Sequence, residues 1–184
     1  MARWQALLTE IRQHQTEIMR IAPFRDAGLV PNPAASSVAI AAAEKRLGRE
    51  LPPSYRAFLA QHDGWPRFFE GATLLGTANL GKRCYEEAAR ATFDAAETPV
   101  VDLAPPSHFH PRVIIPFGID LQAMTLFAFN PAVADDDGEF EVVAWVNEIG
   151  LRRSSFEDFL EMVSELCHSE LHERRFDSAI LRTA

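Results

Sequence analysis

The chain has 184 residues, 47% of them hydrophobic and 24% charged, with a formal net charge of -8. That length gives one domain with a sizeable core and little room for a second, and the composition excludes a disordered chain. The acidic balance repels a phosphate backbone, so no nucleic-acid partner is expected; a basic protein partner remains open, beside the plain alternative of acidity kept for solubility.

Trp4, Leu7, Leu8, Ile11, Ile18, Met19 and Ala22 share one face of a helix that runs to Pro23, while Glu10, Arg12, Glu17 and Arg20 lie mostly off it. The polar face mixes both signs and lacks a basic stripe, so this helix is expected to pack on the domain, not on a membrane. The start, Met1-Ala2-Arg3-Trp4-Gln5, has no apolar leader region, and no apolar run approaches the ~20 residues needed to span a bilayer. A cytoplasmic protein without a membrane partner is expected. Residues 1–35 therefore read as an N-terminal amphipathic helix and a linker, the latter marked by Gly28, Pro31, Asn32 and Pro33.

Ser36 and Ser37 stand where an N-cap belongs. Val38, Ala42 or Ala43, and Leu47 then recur at helical spacing, with Glu44, Lys45 and Arg46 opposite, and Gly48 can end the helix in a left-handed conformation. A second helix is expected near 53–62, opened by Pro53 at a position where its missing N–H costs nothing. Tyr55, Phe58 and Leu59 form its apolar stripe, and His62-Asp63-Gly64 closes it. Pro66 to Gly71, after Trp65, reads as a turn, 73–75 as a short strand, and Cys84 to Ala96 as a helix. The secondary structure of the Pro-rich stretch from Ala104 to Pro111 is left open. Strands follow near 113–117, where Pro116 stops an apolar run, near 125–130, apolar on both faces and hence central, and near 140–146. Asp135-Asp136-Asp137-Gly138 forms the tip of the hairpin between the last two. Ser154 or Ser155 caps a last core helix near 156–166 carrying Phe156, Phe159, Leu160, Val163 and Leu166, and 167–184 continues as a helical tail. The fold class is α+β: a single domain, with a mixed or mainly antiparallel sheet flanked by helices and an added N-terminal helix. Phe58, Leu59, Ile114, Phe127, Phe129, Val142 and Phe159 are expected in the core.

Ile40, Ala43-Glu44, Leu47-Gly48, Leu51-Pro52, Tyr55, Phe58-Leu59 and Gly64, followed by Val113-Ile114-Ile115-Pro116-Phe117-Gly118-Ile119-Asp120, form an ordered series. In order and spacing it resembles the SUKH superfamily, over about residues 37 to 166, with the SUKH-like domain bounded at 36–166. Members of that superfamily are mostly bacterial immunity proteins that bind and neutralise a cognate toxin domain, and others are interaction modules. The resemblance thus implies an immunity protein, or alternatively a regulatory interaction module of the same fold. The superfamily shares no catalytic motif, so it implies no enzyme, no catalytic residue and no cofactor.

The residues agree with that implication. There is no Gly-x-Ser-x-Gly elbow, no cysteine-nucleophile signature and no P-loop. Cys84 and Cys167 lie far apart, both in helical patterns, and read as buried free thiols. His168 and His172 stand at i and i+4, as a zinc pair would, and His108 and His110 form a second pair; without a contact to join them, solvated histidines are the better reading and no metal is expected. Three consecutive aspartates between strands do not space ligands as a calcium loop does.

Asp135, Asp136, Asp137, Glu139 and Glu141 place five acids between 135 and 141 without a basic residue. On a hairpin tip they would steer a basic partner, such as a nuclease-type toxin. Trp65, Phe68 and Phe69 are the candidates for a hydrophobic anchor at the centre of that interface. The plain alternatives are acids that keep a turn soluble and aromatics that belong to the core.

Overall fold

A computed structural model describes residues 3–22, 30–95, 113–120, 125–146 and 149–183. The helices are α1 (Arg3–Ile21), α2 (Ser37–Leu47), α3 (Pro53–Leu59), α4 (Arg83–Ala95) and α5 (Phe156–Thr183). The strands are β1 (Trp65–Phe69), β2 (Ala72–Leu74), β3 (Ile115–Asp120), β4 (Thr125–Ala134), β5 (Phe140–Val146) and β6 (Ile149–Arg153). They form one six-stranded sheet in the order β1-β2-β3-β4-β5-β6, every pair antiparallel. The architecture is α+β and single-domain, as expected, with the sheet wholly antiparallel. His108, His110 and the Pro-rich stretch around them lie outside the described residues, as does the first half of the expected linker.

Two strands escaped the sequence reading. Pro66 to Phe69, expected within a turn, belong to β1; it closes onto β2 through Glu70 and Gly71, whose φ values of 46° and 75° are both positive. A two-residue hairpin loop of the primed kind needs that conformation because it matches the twist of the flanking strands. β6 pairs Val142 with Arg153 and Val146 with Ile149, a partnership that its polar, arginine-bearing sequence does not announce. Pro116 does not stop β3 but lies inside it, at a shift of register against β4. Pro116 is registered against Ala128 of β4 where that register slips before Gly118, and bulges of this kind are among the few places where a sheet takes a proline. Val113, expected at the start of that strand, is instead 45% exposed ahead of it.

All seven residues expected in the core are buried. Its centre is a group of rings. Phe117 stacks on Phe129 at 4.1 Å, and Tyr55 meets Phe117, Phe129 and Phe156 at 5.0–5.3 Å between centroids. The Tyr55 hydroxyl donates to the Leu75 carbonyl at 2.7 Å, and complete burial holds its pKa well above the ordinary phenol value. Consecutive residues from Thr125 to Asn130 and from Val142 to Trp145 are buried. Both faces of β4 and β5 are therefore covered over those stretches, because side chains alternate across a strand.

The sequence misassigned part of α2. Val38 is 76% exposed, whereas Glu44 is buried at 8%. The buried face runs through Ile40, Ala43 and Glu44. Burial of the Glu44 carboxylate is balanced by the Leu51 N–H at 3.0 Å and the Arg56 guanidinium at 3.0 Å, as a buried charge requires. The end of α3 is organised by Asp63, which accepts from the N–H and hydroxyl of Thr77 at 2.5 and 2.9 Å. Gly64 follows at φ 87°, where a Cβ would lie 2.7 Å from the Leu74 carbonyl oxygen and the Gly76 nitrogen. Only glycine fits that crossing.

α1 packs along α5. The Arg3 guanidinium meets Glu161 at 2.6 Å and Asp158 at 3.7 Å. Trp4, Leu8, Ile11, Gln15 and Ile18 are buried on one helical face. The Gln15 amide, polar on that face, donates to the Phe68 carbonyl at 2.5 Å.

Candidate partner-binding face

The hairpin joining β4 to β5 is built by its own acids. Asp135 Oδ1 accepts from the N–H groups of Asp137 at 3.0 Å and Glu139 at 2.8 Å. The Asp135 N–H donates to the Glu139 carbonyl at 3.0 Å, and Gly138 takes φ 83°. An aspartate that bonds the backbone two residues on is a standard way to close a turn. The tip is solvent-exposed from Asp135 to Gly138.

The five acids of this segment do different things. Glu139 turns inward: its carboxylate accepts from the Ser54 N–H at 2.7 Å and the Ser54 hydroxyl at 2.6 Å. It thereby caps the first turn of α3, where Pro52 supplies no side-chain cap. Glu141 is spent within the sheet, accepting from the Asn130 amide at 2.7 Å and pairing with Arg152 at 3.2 Å, with both charged side chains nearly buried. Among the described residues, Asp136 and Asp137 carry no ion pair. The outward negative charge of the tip is thus that of Asp135, Asp136 and Asp137, and Glu139 fixes where it stands. No local pattern could have revealed the Glu139 contact, since its partner is 85 residues away.

Beside the tip runs a groove of about 580 Å³ between α2, α3 and the start of β5. Leu51, Pro53, Ala57 and Phe140 give it an apolar floor, with Glu50 and Asp137 at its edge. Arg56 also lines it, already paired with Glu44. The face therefore combines a fixed negative corner with an apolar recess.

The three aromatics take the core alternative. Trp65, Phe68 and Phe69 are 2%, 0% and 6% exposed, and Trp65 and Phe68 meet edge-to-face at 5.4 Å. The anchor role that the sequence allowed them has no exposed ring to perform it, because β1 carries them into the sheet's packed interior. Cys84 is exposed, not buried as expected, while Cys167 is buried. His168 and His172 are both exposed, and the His168 ring lies 5.3 Å from that of His14 across the α1–α5 seam. Among the described residues, no group of three or more His, Cys, Asp and Glu is gathered as a metal site would need. Nor is any helix there long and apolar enough to cross a membrane.

No curated protein matches the chain. A family model does: that of the SMI1 / KNR4 family (SUKH-1) matches residues 34–162. The matched stretch contains α2, α3, the whole sheet and the opening of α5, so the ordered motifs and the antiparallel meander coincide with it. The chain belongs to the SMI1 / KNR4 (SUKH-1) family.

Proposed function

We propose that this protein is a bacterial immunity protein that binds a cognate toxin domain in the cytoplasm and neutralises it by direct contact, acting as a binding module and not as an enzyme. Membership of a superfamily made up mostly of such proteins carries the reading. The SUKH domain, residues 36–166, supplies the binding face, with residues 1–35 and 167–184 added at its two ends. Asp135, Asp136 and Asp137 steer a basic partner, and Glu139 and Glu141 hold the corner on which they stand. The apolar recess beside Asp137 receives a side chain of the toxin, in place of an aromatic anchor on this protein. Charges at the edge of an interface raise the association rate more than the affinity, and they act over about a Debye length, ~10 Å at moderate salt.

Co-expression with the toxin domain encoded directly upstream tests the reading, scored by restored growth and co-purification. Rescue with a stable complex supports it. Normal growth inhibition despite expression of this protein, or the lack of any neighbouring toxin gene, favours the regulatory interaction module instead. The face is tested separately by changing Asp135, Asp136 and Asp137 to Asn together. Asparagine keeps the Oδ1 acceptor that closes the turn, so the fold should hold while three charges are removed. The on-rate should fall at low salt and its salt dependence should weaken. Unchanged low-salt kinetics would remove the tip from the interface without touching the immunity role.

A further inference from the structure

A second groove, also of about 580 Å³, opens between α1 and α5 on segments that lie largely outside the family domain. Among the described residues, Arg12, Arg20 and Arg175 line it with His14 and His168, against a single carboxylate, Glu17. Glu17 is shared, meeting Arg20 at 2.5 Å and Arg175 at 3.6 Å, so among the described lining residues arginines outnumber carboxylates. Arg12 has no ion-pair partner among the described residues. The guanidinium groups of Arg20 and Arg175 stand largely in solvent, with side-chain exposures of 71% and 59%.

In a protein of net charge -8, this is a local reversal of sign. Like charges gathered on one wall repel, and an incoming anion relieves that repulsion while gaining charge-assisted hydrogen bonds from planar donors. The seam is also internally incomplete, since His14 Nδ1 is buried without a hydrogen-bond partner among the described residues; native interiors rarely leave such an atom unmatched. Leu171 adds an apolar patch to the lining. On the far side of His168 the surface turns acidic, with Glu10, Glu161 and Glu165 lining a neighbouring depression. That acidic border limits the positive strip to a few side chains' length. A long polyanion would run into it; a short segment bearing two or three carboxylates and an apolar side chain would not.

We infer that the α1–α5 groove is a docking site for a short acidic peptide segment of a protein partner, held by Arg12, Arg20 and Arg175. This site is independent of the acidic hairpin and of the immunity reading, and its partner carries the opposite charge from the one proposed there.

The test is fluorescence anisotropy with the full chain and a fluorescein-labelled peptide of sequence Glu-Glu-Leu-Glu-Glu, beside a Gln-Gln-Leu-Gln-Gln control. Saturable binding of the acidic peptide alone, weakening with salt, is expected. Arg12→Gln combined with Arg20→Gln should weaken it by about tenfold or more. Arg49→Gln, which removes one charge as Arg12→Gln alone does but on an exposed arginine away from the groove, should leave it unchanged. Arg12→Gln alone guards against a folding defect, as Arg12 is exposed and without an ion pair, and should still weaken binding several-fold. Absence of acidic-peptide binding overturns the inference, as does equal loss in Arg49→Gln or full retention in the Arg12 and Arg20 variants. Tighter binding of a labelled oligothymidine than of the peptide also overturns it, in favour of a nucleic-acid strip.

Discussion

Replacing Glu139 with alanine tests whether the acidic tip is a fixed platform or a loose loop. Glu139 reaches across the fold to cap α3, giving one oxygen to the Ser54 N–H at 2.7 Å and the other to its hydroxyl at 2.6 Å. A side-chain cap is worth about 0.5–2 kcal/mol, and a further hydrogen bond to a hydroxyl about 0.5–1.5 kcal/mol. Glu139 is only half-buried, so water recovers part of both in the variant, and the net loss should be about 1–2 kcal/mol. Urea unfolding followed by tryptophan fluorescence measures it. Glu139→Gln keeps one acceptor and offers the Ser54 hydroxyl a donor, so it should lose less, under about 1 kcal/mol. Asp136→Asn and Asp137→Asn touch nothing structural and should stay within about 0.5 kcal/mol of the parent. The decisive quantity is the coupling to Ser54→Ala in a double-mutant cycle, expected at about 0.5–1.5 kcal/mol. A coupling indistinguishable from zero, or a Glu139→Ala loss below about 0.3 kcal/mol, would refute the clamp and with it the view that the tip is rigidly presented.

Two further outcomes follow from the core and from the end of α3. Phe127 is fully buried, with its ring 4.8 Å from that of Phe159; Phe127→Ala should lower stability by ~3–5 kcal/mol through lost burial and the cavity left behind, and a calorimetric or urea-derived loss under about 1 kcal/mol would contradict the sheet register. His62 has its pKa lowered, mainly by burial and further by the Arg12 charge, against a raising hydrogen bond to the Asn32 backbone. The unfolded chain, titrating near about 6.5, therefore binds the proton more readily than the folded one. Stability should fall as the pH drops below that value, the loss being complete once the pH passes below the folded-state pKa. His62→Gln should flatten this acid limb between pH 8 and pH 5, and an unaltered pH dependence of the urea midpoint would show that His62 does not carry it.

The sequence by itself determined the local elements whose signals are backbone-chemical or periodic. Ser36 caps α2 by accepting from the Ala39 N–H at 3.2 Å, and Gly48 ends it at φ 71°; Pro53 opens α3, and β5 spans the expected residues 140–146. Its ordered motifs also determined the family, because the same residues that cap and fill these elements recur at fixed spacing. What it could not decide are the matters that depend on partners distant in the chain. Glu44 looks like a surface residue of an amphipathic helix until Leu51 and Arg56 are brought to it. Trp65, Phe68 and Phe69 look equally like a core or an interface until β1 joins the sheet edge and buries them. Pro116 looks like a strand terminator until the register slip against β4 takes it into the sheet. Five acids look like one charged loop until Ser54, Asn130 and Arg152 claim two of them. Hydrophobic period and turn chemistry act within a few residues, whereas the fate of a charge or an aromatic ring is set by what desolvates or pairs it, and only the folded chain brings those groups together.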